Sequence, residues 1–161
     1  MNQTHIHLLI THLPIFGSIL GALVLLHGIG VRSNQTKIAA YYIFVLSSIG
    51  AGIAYFTGEA AEETVENIQG VMEATIKQHE EFALFALISL IILGVASIIG
   101  LFITFKKLPY LRTVAFIILF LSLISFLLVA RTGYLGGQIR HTETVNSASL
   151  QSENLENEIE E

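Results

Sequence analysis

The chain of 161 residues is 53% hydrophobic and only 13% charged, with a mean hydropathy of +0.68. Because soluble domains are about 25% charged, this composition excludes an ordinary water-soluble domain and favours a membrane protein. The absence of cysteine excludes disulfides, thiolate metal sites and covalently attached c-type haem. A net charge of −5 argues against a nucleic-acid partner, which would need a basic patch.

Four long apolar segments without Asp, Glu, Lys or Arg predict four membrane-spanning helices. Each is within or near the roughly 17–25 residues that a helix needs to cross a bilayer. Backbone groups in lipid must be hydrogen-bonded within their own segment, so the spans are expected to be helices. We therefore predict an all-α, integral membrane four-helix bundle formed by residues 1–141. The predicted spans are 13–31, 38–56, 82–105 and 114–130.

The charged residues between the spans predict the orientation of the chain. The connections after the first and third spans are basic and contain no Glu, whereas residues 57–81 are rich in Glu. By the positive-inside rule, we expect the basic connections in the cytoplasm. Both termini and residues 57–81 would then lie on the periplasmic side of a bacterial inner membrane. The basic residues concerned are Arg32, Lys37, Lys106, Lys107 and Arg112.

Two segments outside the spans carry predictions of their own. In residues 57–81, apolar side chains recur at spacings of three and four, which is typical of an amphipathic helix. We expect that helix to lie across the outer end of the bundle. Residues 142–161 hold six Glu and no basic residue, and we expect this acidic tail to be disordered or bound to a partner. The apolar stripe consists of Val65, Ile68, Met72 and Ile76.

A weak internal repeat divides the chain into two hairpins. His12 opens the first span and Thr57-Gly58 follows the second, while His79 opens the third span and Thr132-Gly133 follows the fourth. Each half therefore enters from the outer side and returns there. This pattern indicates a pseudo-twofold axis along the membrane normal.

The distribution of histidine suggests where chemistry takes place. Five of the six histidines map to the outer side and only His27 maps to the cytoplasmic side. Ionisable residues at membrane depth are candidates for function, and His is a common ligand of metals and of haem iron. A shared cofactor therefore competes with the simpler interpretation of scattered interfacial histidines. The outer histidines are His5, His7, His12, His79 and His141.

Helical spacing limits how these histidines could cooperate. His5 and His12 are about 700° apart, so they share a face but lie about 10.5 Å from each other. This distance is too long for one small metal ion. His12 and His79 begin their spans at similar depth, and we predict that they face each other across a cofactor. Pro14 is expected to kink the first helix, because its ring clashes with the carbonyl four residues earlier.

Other outer residues fit the same hypothesis. Arg131 and Arg140 could pair with carboxylates, including haem propionates, although interfacial anchoring is the alternative. The glycines that precede His141 would let the chain approach a flat cofactor closely. No Glu lies three residues before a His, which excludes the Glu-x-x-His pairs of a ferritin-like di-iron site. A copper or zinc site formed by outer His and Glu residues remains open.

The first helix resembles that of a bacterial family of small four-helix membrane proteins. Residues 5–14 read HIHLLITHLP, and members of that family typically read His-x-His-Leu-Leu-x-x-His-x-Pro at this place. Residues 55–62, 76–80 and 132–141 look like further segments of the same family. A broader related group of membrane domains resembles b-type haem or redox proteins.

The resemblance implies a membrane-bound, cytochrome-like electron-transfer protein rather than a stand-alone enzyme. One or two haem b groups would be bound non-covalently near the periplasmic face. Electrons would pass between quinol or another membrane subunit and a periplasmic acceptor. The alternatives are a cofactor-free structural or assembly subunit of a larger complex and a copper- or zinc-binding membrane protein. The implied iron ligands are His7, His12, His79 and His141, with His5 in reserve.

Overall fold

The protein consists of helices and short turns in every part of the chain that the structure describes. The computed structural model describes the backbone of residues 3–65 and 73–160. Side chains are described for residues 5–58, 73–139, 141, 142 and 145. The helices are α1 (Gln3–Ile10), α2 (His12–Gly30), α3 (Asn34–Val65), α4 (Glu73–Phe105) and α5 (Leu111–Glu160).

The four predicted spans and the all-α fold class are confirmed. Four helical segments are long and apolar enough to cross a membrane, so the chain is a multi-pass membrane protein. α2, α3, α4 and α5 pack in sequence, and α5 returns beside α2 to close the bundle. α1 continues the direction of α2 and packs on α3. The membrane-competent segments are His5–Gly30, Asn34–Gly58, Glu73–Phe105 and Leu111–Ile139.

Small residues fill the contacts between the helices, and large apolar residues face outward. A Cβ at Gly21 would lie 2.5 Å from the buried ring of Phe44, so α2 and α3 approach as closely as they do only because glycine stands there. On the outside, Phe102 and Phe120 are 59% and 65% exposed. This arrangement, with bulky apolar side chains outside the bundle, fits contact with the acyl chains of a bilayer.

The first helix is interrupted three residues before its proline. α1 and α2 are separated by Thr11, although the Thr11 N–H still donates to the His7 carbonyl at 3.0 Å. Pro14 has no N–H, so it cannot complete the hydrogen bond that would continue the helix through this point. The structure divides the N-terminal helix at Thr11, where the backbone keeps helical dihedral angles of −60° and −24°, and the predicted kink at Pro14 stays a prediction.

The segments outside the predicted spans are more helical than expected. α3 continues to Val65 and α4 begins at Glu73, so the described parts of 57–81 extend the spanning helices and no separate outer helix is found among them. Residues 66–72, with Ile68 and Met72 of the apolar stripe, lie outside the described residues. The acidic tail was expected to be disordered or bound to a partner, and its described residues are helical, because α5 continues to Glu160. Residues 138–160 contain no Pro or Gly that would end the helix.

Both turns at one end of the bundle use the same cap. Arg32 and Lys107 adopt positive φ angles of 55° and 51° directly after α2 and α4. The Ser33 N–H donates to the Gly28 carbonyl at 3.0 Å, and the second turn repeats this bond at 3.1 Å. These are helix C-terminal motifs in which glycine is the usual residue at the positive φ. We call this the basic end, and its cations are Arg32, Lys37, Lys106, Lys107 and Arg112.

Candidate functional site

His7 leans from α1 onto the last turns of the spanning part of α3. Its Nδ1 atom lies 2.9 Å from the Ala54 carbonyl oxygen and 3.3 Å from the Thr57 hydroxyl. The ring lies over Gly58, where a Cβ would come within 3.3 Å of the His7 Cε1 atom. Glycine at this position therefore leaves the space that the imidazole occupies.

His79 makes the same contact from α4 onto α5. Its Nδ1 atom lies 3.0 Å from the Thr132 carbonyl oxygen, and a Cβ at Gly136 would lie 3.2 Å from its Cε1 atom. In both cases the glycine follows the acceptor carbonyl by four residues. In an α-helix, residue i+4 lies directly beyond the carbonyl of residue i, so a side chain there would obstruct a ring that approaches that oxygen.

The two hairpins are therefore equivalent at this end, which we call the histidine end. The structure supports the predicted pseudo-repeat but gives it a different register. His7, rather than His12, is the counterpart of His79, and Gly58 corresponds to Gly136 rather than to Gly133. Among the described residues, His7 and His79 are thus the candidate pair, and no contact between His12 and His79 is found there.

The hydrogen bonds determine which nitrogen of each imidazole is free. A carbonyl oxygen can only accept, so Nδ1 of His7 and of His79 must carry the proton. In a neutral ring, Nε2 then keeps its lone pair, and no hydrogen-bond partner for either Nε2 is found among the described residues. The two imidazoles are also close enough to interact electrostatically. Histidines that bind metals typically donate their other ring N–H to a carbonyl in this way.

The other histidines are not part of this pair. The exposed His12 ring bonds through Nδ1 to the Leu8 carbonyl of its own chain segment at 2.8 Å and stacks on Phe16 at 6.1 Å. The electrostatic neighbours of His79 are His7 and Glu80. The remaining three histidines are all exposed, and they are His5, His27 and His141.

Arg131 is held by aromatic rings at the histidine end. The exposed guanidinium lies 5.6 Å from the centre of the Phe82 ring and 5.5 Å from that of Tyr134. These cation–π contacts agree with the alternative of interfacial anchoring. The side chain of Arg140, the other predicted propionate partner, lies outside the described residues.

Sequence reasoning included both paired histidines among its candidates but missed what orients them. The acceptors are main-chain carbonyls, of Ala54 and Thr132, and a main-chain carbonyl leaves no mark in a sequence. The available signal was the glycine that follows each acceptor by four residues inside a helix, Gly58 and Gly136. An interior glycine weakens a helix by about 1 kcal/mol, so such a position suggests a close approach by another group.

Comparisons of the chain with models of protein families, with curated proteins and with solved structures gave no match. Within the described residues, no group of three or more His, Cys, Asp or Glu side chains comes together as a ligand set for a metal ion. The functional argument therefore depends on the paired histidines, His7 and His79.

Proposed function

We propose that the protein is a membrane-bound, b-type cytochrome-like electron-transfer protein that binds one haem b non-covalently between His7 and His79. One observation carries this proposal: on two different helices, both imidazoles donate Nδ1–H to a carbonyl and keep Nε2 free, as axial ligands do. The implied family resemblance of the first helix points in the same direction. The proposal is for one haem because the described residues contain one such pair.

The chain would hold and orient the cofactor, and haem would supply one-electron chemistry when bound. His7 and His79 would hold the haem through their Nε2 atoms, and with two protein ligands the haem would supply electron transfer rather than chemistry on a bound substrate. The carbonyl bonds of Ala54 and Thr132 would keep both rings in the ligating tautomer and make Nε2 more basic. Among the described basic side chains, Arg131 is the candidate to pair with a haem propionate. To do so, its guanidinium would have to move away from the rings of Phe82 and Tyr134.

A copper or zinc ion fits the pair less well. A structural or catalytic zinc site usually takes three or four protein ligands, and the described residues provide no group of three. Haem iron needs only two ligands from the protein, since the macrocycle supplies the rest. The two-histidine arrangement therefore favours haem over a bare metal ion.

The proposed location is a bacterial inner membrane with the histidine end on the periplasmic side. The positive-inside rule supports this orientation, because the basic end carries five cations and no Glu. Electrons would then pass between quinol or another membrane subunit and a periplasmic acceptor. The Glu residues at the histidine end would attract a basic partner electrostatically.

The proposal is tested by a reduced-minus-oxidised spectrum and a pyridine haemochrome assay on the purified protein. We expect a haem b spectrum from wild type, and loss of most bound haem in both His7→Ala and His79→Ala. His12→Ala is the matched control, because His12 lies on the same N-terminal segment but points outward. Loss of haem in His12→Ala with retention in His7→Ala would contradict the proposed pair. A folded wild type without haem would favour the cofactor-free subunit, and bound copper or zinc without iron would favour the metal site.

A further inference from the structure

A second feature, at the opposite end of the bundle, is a lysine whose side chain is mostly buried. Lys37 lies in the first turn of α3 and is only 6% exposed. It is covered by α2 at Gly28, where a Cβ would lie 3.2 Å from the Lys37 Cγ atom. Its ammonium reaches the exposed Asn34 and is part-buried there, so it still needs an anion or several acceptors to replace the water that it has lost.

The described partners of Lys37 do not meet that requirement. Its ammonium donates to the Asn34 amide oxygen at 3.3 Å, a long bond to a neutral group. No other acceptor for it is found in the described part of the chain, where the ion pair of Lys77 with Glu73 is the only salt bridge. All 13 acidic residues are Glu, and none lies in either turn of the basic end.

The surrounding charges are also positive. Because Lys37 bonds to Asn34, the first residue of α3, its ammonium lies over the N-terminal turn of that helix. This is the positive end of the helix dipole, where a cation is unfavourable and an anion is stabilised. Arg32 adds another cation in the preceding turn, at a φ of 55°. The two cations and the helix dipole of this turn therefore all favour an anion.

The equivalent turn between α4 and α5 provides an internal comparison. It has the same cap and three cations where the first turn has two, but Lys106, Lys107 and Arg112 are all exposed there. Arg112 lies over the Phe116 ring, 5.8 Å from its centre. Only the turn between α2 and α3 has a basic side chain enclosed by the described protein, so the two turns differ in more than their net charge.

We propose that the turn between α2 and α3 binds the phosphate group of an anionic phospholipid, with Lys37 as the principal ligand and Arg32 as a second cation. Position favours a lipid as the source of the phosphate, because the turn lies where a membrane-spanning pair of helices ends. Leu26 and Val31, near the end of α2, are 54% and 55% exposed and offer apolar surface to acyl chains. In the proposed orientation this end meets the cytoplasmic leaflet, which attracts basic segments through its anionic lipids.

Thermal unfolding in mixed micelles tests the site. Wild type, Lys37→Met and Lys106→Met are compared in detergent with dioleoylphosphatidylglycerol or with dioleoylphosphatidylcholine. The anionic lipid should raise the Tm of wild type and of Lys106→Met by several degrees, and leave that of Lys37→Met unchanged. Lys106→Met is the matched control, since it removes one exposed cation from the same end. Equal stabilisation of all three proteins, or none of wild type, would overturn the proposal.

Two further measurements cover a folding defect and the source of the phosphate. If Lys37→Met does not fold in phosphatidylcholine micelles, it is replaced by Lys37→Arg, which keeps the charge, and by Arg32→Gln, which changes an exposed position. Native mass spectrometry should then show phosphatidylglycerol retained by wild type and by Lys37→Arg, and retained less by Arg32→Gln; equal retention by all three proteins would overturn the proposal. The last comparison measures the Tm of wild type in phosphatidylcholine micelles with added inorganic phosphate. A Tm rise with the free ion equal to that with the lipid would overturn the assignment to a phospholipid.

Discussion

At the scale of single residues, the partner of Nδ1 separates the histidines of this protein into two kinds. In His7 and His79, Nδ1 bonds to the carbonyl of a different helix, which turns the ring into the gap between helices. In His12, Nδ1 bonds to a carbonyl four residues earlier, which keeps the ring on the outside of its own segment. The first kind of contact leaves Nε2 without a hydrogen-bond partner among the described residues, and the second leaves the ring against Phe16.

Gly136 and Gly137 allow a direct test of the space beneath His79. An added Cβ at Gly136 would press on the imidazole at 3.2 Å, whereas at Gly137 it meets nothing within 4 Å. Because Ala is favoured over Gly in a helix by about 1 kcal/mol, Gly137→Ala should raise the free energy of unfolding. Gly136→Ala should have a lower free energy of unfolding than Gly137→Ala, because the His79 ring must shift away from the Thr132 carbonyl to make room for the added methyl group. Thermal unfolding of the two variants measures the difference. Equal stabilisation would show that the His79 ring accommodates a methyl group at position 136 without losing its hydrogen bond.

Prediction from sequence succeeded in part at this scale. It identified His7 and His79 among the candidates because ionisable residues near the ends of apolar spans are uncommon. It paired His79 with His12 because equal depth along two spans was used to infer contact, whereas the histidine that makes the equivalent carbonyl contact in the structure is His7. Contact also depends on which way each ring turns, and the His12 ring turns to the Leu8 carbonyl of its own segment.

At the scale of helices, the turns of the basic end show a conflict between backbone geometry and charge. Arg32 and Lys107 hold positive φ angles that favour glycine, yet both are cations at helix C-termini. A cation there interacts favourably with the negative end of the helix dipole. At these two positions, a favourable interaction of the cation with the helix dipole therefore opposes the backbone strain of a positive φ angle.

Lys107→Gly should separate the two effects. Removing the side chain from a left-handed conformation is expected to stabilise the turn by about 1 kcal/mol. Lys106→Gly, which removes the same charge at a position without a positive φ, should give no gain. The measurement is thermal unfolding in neutral detergent at moderate salt, where surface charge contributes little. A gain of the same size in both variants would mean that charge repulsion, and not strain, is being relieved.

The helices themselves were predictable, and their ends were not. Long uncharged runs identify the spans because only a helix satisfies its backbone inside lipid. Outside lipid that constraint disappears, and α3 and α5 continue beyond the apolar runs to Val65 and Glu160. Glu, Gln and Ala are good helix formers, so an acidic composition does not by itself exclude helix.

At the scale of the whole molecule, orientation in the membrane is the prediction with the widest consequence. The chain has no cysteine, so single cysteines can be labelled without background. Leu108→Cys marks the basic end and Gln138→Cys the histidine end, and both positions are exposed. In intact spheroplasts, a membrane-impermeant maleimide should label Gln138→Cys, and Leu108→Cys only after lysis. The opposite labelling pattern would place the histidine end in the cytoplasm.

The duplicated contact at the histidine end has a consequence for assembly order. His7 finds its carbonyl within the N-terminal hairpin, and His79 finds its own within the C-terminal hairpin. Each half can therefore set the direction of its ring as soon as it has inserted, before the other half is synthesised. Only the electrostatic interaction between the two rings requires the complete chain. A ligand bound by both Nε2 atoms would link the two preformed hairpins and make them unfold as one cooperative unit.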